Sequence, residues 1–220
     1  SGYAKTVYQY TMGTPHDLST LNTTPANTLD MSSKIAGTVA HYCPLHITNS
    51  GYDLYFGDYQ NNIIYQWKMS TAYDLSTASY HGASSAIFVN TMASLFIQPN
   101  GLTGYQVQDG ITGSAVLREF TMSVAWDITT ASYSSVVLNI GLGNYSKDIY
   151  IKSDGTKLYN VANNNVMKQF TMATPWDLST ATLDHTVTLA DSFTYGSITF
   201  NSDGTILFIA HVNTSPAALR

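Results

Sequence analysis

The sequence predicts an all-β propeller on three observations: one phrase occurs four times, a tight-turn signal sits between its copies, and no helical periodicity is present. The phrase reads YQYTMGTPHDLSTL from Tyr8, YQWKMSTAYDLSTA from Tyr65, REFTMSVAWDITTA from Arg118 and KQFTMATPWDLSTA from Lys168. Its constant parts are an acceptor-bearing residue (Gln9, Gln66, Glu119, Gln169), an aromatic, a methionine (Met12, Met69, Met122, Met172) and an aspartate (Asp17, Asp74, Asp127, Asp177). Successive methionines lie 57, 53 and 50 residues apart. Self-similarity with a period of about 50 residues marks a propeller, a solenoid or an array. A β-helix needs much shorter coils, and ankyrin or leucine-rich arrays need helical segments, so the propeller remains.

The elements of one repeat follow in order. In the last full copy, residues 148–152 run into Asp154-Gly155 and residues 157–161 run out again. Asp-Gly and Asn-Gly between such runs are strong hairpin signals, because glycine takes positive φ without steric cost. The same place holds Asn49-Ser50-Gly51, Pro99-Asn100-Gly101 and Ser202-Asp203-Gly204 in the other copies. After the loop Asn163-Asn164-Asn165, residues 166–172 alternate with period two, placing the aromatic and the Met on one face. Thr174-Pro175-Trp176-Asp177 then reads as a turn, and 180–189, rich in Thr, Val and Leu, as an outer strand.

Each repeat is therefore a blade of four antiparallel strands. The chain opens with the third and fourth strands of a blade, at 6–12 and after Leu18, and its last two segments, 196–201 and 205–212, are a first and a second strand. The expectation is one domain over 1–220: a four-bladed ring with blades at 35–80, 86–133 and 145–189, and a fourth made by 1–21 together with 190–220. A piece of a larger ring and an intertwined dimer of eight blades are the alternatives.

A residue present in every copy points to architecture before chemistry. The repeated aromatics and Met12, Met69, Met122 and Met172 are expected to fill the wedge between blades, since Met adapts to irregular gaps. Asp17, Asp74, Asp127 and Asp177 are expected to cap a turn, because a carboxylate accepts backbone N–H bonds there. His16, Tyr73, Trp126 and Trp176 share one turn position, where they would either stack on sugars or cover strand ends.

Composition narrows the function. Only 10% of residues are charged, against about 25% in ordinary soluble domains. The net charge of −5, with nine Lys plus Arg, argues against a nucleic-acid partner and against electrostatic attraction to anionic membranes. No run reaches the roughly 20 apolar residues of a spanning helix. The lone Cys43 allows no intrachain disulfide and no cysteine metal site, and reads as a small buried hydrophobe. No cofactor is implied.

The wording YQYT, PWDLSTA and DGTKLY, spread over all four copies, resembles the uncharacterised propeller repeats of bacteriophage virion proteins and environmental bacterial surface proteins. That resemblance implies a virion, extracellular or cell-surface location and partners among virion or surface proteins, including further copies of the chain. It carries no catalytic residues.

No nucleophile-elbow, zinc-helix or phosphate-loop pattern is present, so no catalytic residue and no metal ligand is assigned. His41 and His46 read as structural. Ligand contacts are expected where the copies differ, in loops between second and third strands: Asp58, Tyr59, Asn62, Asp109, Asn163, Asn165, His211 and Asn213. His81, Asn144, Asp184, His185 and Asp191 lie in segments joining blades. The expected function is a non-catalytic virion or extracellular module, such as a tail, fibre or decoration protein that recognises glycans or a host surface. The alternatives are a polysaccharide-acting glycosidase or lyase, with Asp58 and Asp109 as its acids, and a purely architectural filament or capsid subunit.

Overall fold

Alternating apolar residues in each repeat need a partner on one face, and the chain supplies it by stacking sheet on sheet. The computed structural model describes residues 5–15, 17–35, 44–48, 50–58, 61–85, 92–108, 115–141, 146–162, 166–189 and 195–212, with backbone alone at 146–147, 162, 195–196 and 210–212. Three sheets are four-stranded and antiparallel throughout. The first contains β3 (Leu45–Ile47), β4 (Asp53–Asp58), β5 (Ile63–Met69) and β6 (Ala78–Ala83). The second contains β7 (Met92–Ile97), β8 (Thr103–Gln108), β9 (Val116–Met122) and β10 (Ala131–Asn139). The third contains β11 (Ser146–Ile151), β12 (Lys157–Ala162), β13 (Val166–Met172) and β14 (Ala181–Thr188). Strands β3, β7, β11 and β15 (Tyr195–Phe200) are neighbours in that order, so the first strand of every sheet faces the common axis. This is the expected propeller-like, all-β architecture.

The ends differ from expectation. β1 (Thr6–Gln9) pairs with β2 (Asn27–Asp30), and β15 pairs with β16 (Leu207–Val212), as two separate two-stranded sheets. Among the described residues no ladder joins β16 to β1, so the blade expected to be shared by residues 1–21 and 190–220 stands as two halves.

The repeated residues sort as burial dictates. Met69, Met122 and Met172 are buried beside Trp67, Phe120 and Phe170 in the wedges between sheets. Met12 is the exception at 43% exposed, because its half-blade has no sheet on that side. The repeated Asp does cap, but it caps a helical turn that no periodicity announced. One-turn 3-10 segments occur at Leu18–Thr20, Leu75–Thr77, Ile128–Thr130 and Leu178–Thr180. In each, the carboxylate of Asp17, Asp74, Asp127 or Asp177 accepts the backbone N–H two residues on, at 2.9–3.0 Å. Three residues are too few to register as a 3.6-residue pattern.

The aromatic before that Asp is seated on the hairpin of its own blade, half-buried at Trp126 and Trp176 and 54% exposed at Tyr73. Tyr73, Trp126 and Trp176 adopt positive φ of 59°, 61° and 69°. Their N–H groups donate to Gly51, Gly101 and Gly155 of the first hairpin in the same blade. A Cβ on those glycines would lie 2.3–2.4 Å from the ring, so only glycine fits beneath it. The stacked ring and the hairpin thus form one unit.

Between blades the repeated glutamine acts as a clasp. Gln9 donates to the Tyr73 carbonyl at 2.5 Å and accepts from Leu75 N–H at 3.0 Å. Gln66 repeats this, donating to the Trp126 carbonyl at 2.7 Å and accepting from Ile128 N–H at 2.9 Å. A carboxylate cannot donate. Where the third copy has Glu119, the Tyr105 hydroxyl donates to the Trp176 carbonyl in its place. Burial pushes the Glu119 carboxyl up from its ordinary range, with the Asp177 charge adding to the effect and a Ser134 bond opposing it.

Candidate functional site

Seven residues before the hairpin glycines Gly101, Gly155 and Gly204 stand Ser94, Asp148 and Ser197, at one height on the first strands β7, β11 and β15. In β7 and β11 the ladder register shifts just before them, between Met92 and Ser94 and between Ser146 and Asp148. A bulge at that point re-aims a side chain, and here the re-aimed chains meet. Ser94 Oγ donates to Asp148 Oδ1 at 2.8 Å, and Ser197 Oγ donates to Asp148 Oδ2 at 2.6 Å. Backbone N–H groups complete the set: Ile149 to Oδ1 at 2.9 Å and Ile198 to Oδ2 at 3.0 Å. Asn160, fully buried, donates to the Asp148 carbonyl at 3.1 Å and steadies the strand from behind.

The lone pairs of Asp148 are therefore matched by two fixed N–H groups and two rotatable hydroxyls. Asp148 is half-buried and Ser197 is exposed. A water or a sugar hydroxyl reaching this wall can exchange with Ser197 while the backbone bonds hold the carboxylate in place. Pro44 occupies the equivalent place in the first full sheet and accepts from Gly57 N–H at 2.9 Å, so the acceptor group is confined to one side of the axis.

Polar groups also lie on the second and third strands. Gln106 is fully buried, with Leu95 and Arg118 as its cross-strand neighbours. Arg118 donates to Gln108 and lies 5.2 Å above the Tyr133 ring. Lys168 donates to the carbonyls of Ile140 and Gly141 at 3.0 Å, and burial lowers its pKa.

The loop residues expected to form a site are not gathered into one. Asp58 is fully buried at the end of β4, where it accepts from Asn61 N–H at 3.2 Å and Asn61 Nδ2 at 2.7 Å. It caps its own hairpin, and Asn62 turns that hairpin at φ 55°. Tyr59, Asp109, Asn163, Asn165 and Asn213 lie outside the described residues, as do Asn144 and Asp191, and only the backbone of His211 is described. His81 bonds Asp127 at 3.0 Å, a contact between adjacent blades. Asp184 sits on outer strand β14, where bonds from Lys157, Thr171 and Gln169 hold its carboxyl far below the usual range. His46 packs at 5.5 Å against Phe96, and burial lowers its pKa to about 4. Among the described residues no group of three or more His, Cys, Asp and Glu is placed to hold a metal ion. No helix there is long and apolar enough to cross a membrane.

Sequence reasoning missed Asp148 as a site residue, reading it only as the start of a strand. One signal was available: aligned on the hairpin glycine, an acid stands where the other copies have Pro or Ser.

No protein-family model and no curated protein matches the chain. Solved structures do. A candidate 6-phosphogluconolactonase of Bacteroides fragilis is similar at 15% identity, with a TM-score of 0.51 over 77% of this chain and 47% of that one. The periplasmic gluconolactonase of Pseudomonas aeruginosa is similar at 11% identity, with a TM-score of 0.56 over 78% of this chain and 50% of that one. This chain spans about half the length of both. At such identity the likeness concerns the fold. It corrects the expectation of a non-catalytic virion or receptor-binding module: these two similar structures are those of sugar-lactone enzymes.

Proposed function

We propose that the chain acts on sugars as a lactone hydrolase, with Asp148 as its base. The observation that carries this reading is the Ser94–Asp148–Ser197 bridge on the axial wall, set in a fold shared with gluconolactonase-type enzymes. Lactone opening asks for one base, whereas a glycosidase asks for two opposed carboxyl groups. Asp58 is committed to its hairpin, so the one-base chemistry suits the described residues better.

A water displacing the Ser197 hydroxyl would hydrogen-bond Asp148 Oδ2. Its oxygen adds to the lactone carbonyl carbon as its proton passes to Oδ2. The ring C–O bond then breaks, and the proton returns from Asp148 to the departing ring oxygen, leaving an open-chain hydroxy acid. Ser94 and the two backbone N–H groups keep the carboxylate aimed throughout. Arg118 and Lys168 are already engaged with Gln108 and with backbone carbonyls, which favours an uncharged lactone over a phosphorylated one.

The test is acid release from gluconolactone in a pH-stat. Hydrolysis should exceed the spontaneous rate, and Asp148→Asn should lower kcat by about 10²–10⁴-fold, the usual worth of a positioned base, with circular dichroism unchanged. Hydrolysis no faster than in buffer, or full activity in the variant, would refute the proposal.

A further inference from the structure

One cross-strand pair recurs at the same register in the three full sheets, and the second sheet leaves it unsatisfied. Phe56 opposes Tyr65, Gln106 opposes Arg118, and Asn160 opposes Lys168. In the first sheet both members pack in one core cluster. In the third, Asn160 donates to the Asp148 carbonyl and Lys168 to the carbonyls of Ile140 and Gly141. In the second, Gln106 is fully buried, yet neither its amide nitrogen nor its amide oxygen has a hydrogen-bond partner among the described residues. Buried amides in that condition are rare, because losing water without a replacement bond is unfavourable.

The groups around Gln106 share its need. Arg118 rises beside it from the same face and uses only its Nε, on Gln108. No carboxylate among the described residues pairs with that guanidinium. The Tyr133 ring lies 5.2 Å beneath it, and the buried Tyr133 hydroxyl also lacks a partner there. This face of the second sheet looks to the first: Leu95, opposite Gln106, and Phe120, opposite Tyr133, cluster with Tyr55 and Ile64. Ser94 and Val107, one step along, look the other way, to Asp148 and Ile149 of the third sheet. Arg118 is thus turned away from Asp148, and the two places are separate.

We propose that the wedge between the first and second sheets binds a small 2-hydroxycarboxylate, held by Gln106, Arg118 and Tyr133. A permanently charged guanidinium in half-buried surroundings calls for an anion, and water supplies no charge. The carboxylate accepts from Arg118, from the Tyr133 hydroxyl and from the Gln106 amide nitrogen. The Gln106 amide oxygen then needs a donor, and a hydroxyl on the carbon next to the carboxylate supplies it. Arg118 and Tyr133 are half-buried and Gln106 is sealed, so the ion enters past the first two and ends against the third. Only a small acid suits so enclosed a place.

Isothermal titration calorimetry of the whole chain with sodium glycolate tests this. Saturable binding is expected, with acetate, which lacks the hydroxyl, about tenfold weaker for one lost hydrogen bond. Gln106→Leu fills the same space without polar atoms, so it should melt no lower than the unmodified chain. Glycolate should raise the melting temperature of the unmodified chain and leave that of Gln106→Leu where it is. Arg118→Gln should abolish binding. Asp148→Asn, on the other side of the sheet, should bind glycolate unchanged, which separates this site from the hydrolase reading. The absence of saturable heat would mean that the wedge takes ordered water only, and would overturn the proposal. Equal affinity for acetate, or binding retained in Gln106→Leu, would overturn it equally.

Discussion

The contact between the first and second full sheets and the face left open at the first repeat are built from the same sequence positions. In the former, Phe120 and Met122 press on Tyr55 and Ile64, and Gln66 locks the next turn. In the latter, Tyr10, Met12 and Leu18 hold the same places and remain exposed. The residues are apolar in both. What differs is whether a neighbouring sheet is present, so burial here is a property of the stack and not of the repeat. A repeat that cannot bury its own face gains stability only through its neighbour.

Truncation separates the two faces most sharply. Phe120→Ala empties a fully buried site and should destabilise by about 3–5 kcal/mol, read from urea unfolding at high dilution. Tyr10→Ala at the matching position, 46% exposed, should leave the unfolding nearly unchanged. Equal losses in both variants would dissolve the distinction.

A second contrast lies in pH. His46 packs against Phe96 at the contact of β3 with β7, and its pKa falls from 6.5 to about 4 on folding because burial disfavours the charge. The unfolded chain therefore binds the proton first. Stability is complete above about pH 6.5 and declines as pH falls towards 4, by a total on the order of 3 kcal/mol at 1.36 kcal/mol per unit. His46→Phe should flatten that slope in denaturation curves taken between pH 4 and 7.

The smallest effect concerns the clasp. Gln66→Ala leaves the Trp126 carbonyl and the Ile128 N–H without their partner and should cost about 1–3 kcal/mol. Gln169→Ala, at the end face, removes a bond to an exposed carboxylate and should cost well under that in the dilute chain. Thermal melts of both variants side by side give the comparison.

Much of the blade was readable from residues alone. The hairpins at Gly51, Gly101 and Gly155, the period-two strand ending in Met, and the Asp cap each follow from local chemistry, and each is found where expected. The candidate site was not. Asp148 matters because Ser94 and Ser197, 54 and 49 residues away, reach the same carboxylate, and no local pattern records that meeting. Asp58, which looked like a site acid because it sits in a variable loop, is taken up by Asn61 within its own hairpin. Trp126 and Trp176, which the sequence left as either sugar platforms or covers of strand ends, lie as lids over glycine.

The amino-acid sequence by itself determined the repeat, its strands and its turns, because these depend on neighbours a few residues apart and on the two-residue period of a pleated strand. Only the tertiary structure decided which copies of the same apolar face are covered, and that Asp148, among the described acids, stands on the axial wall. Those outcomes depend on contacts between sheets some 50 residues apart in the chain, where each side chain's burial is set by the blade beside it.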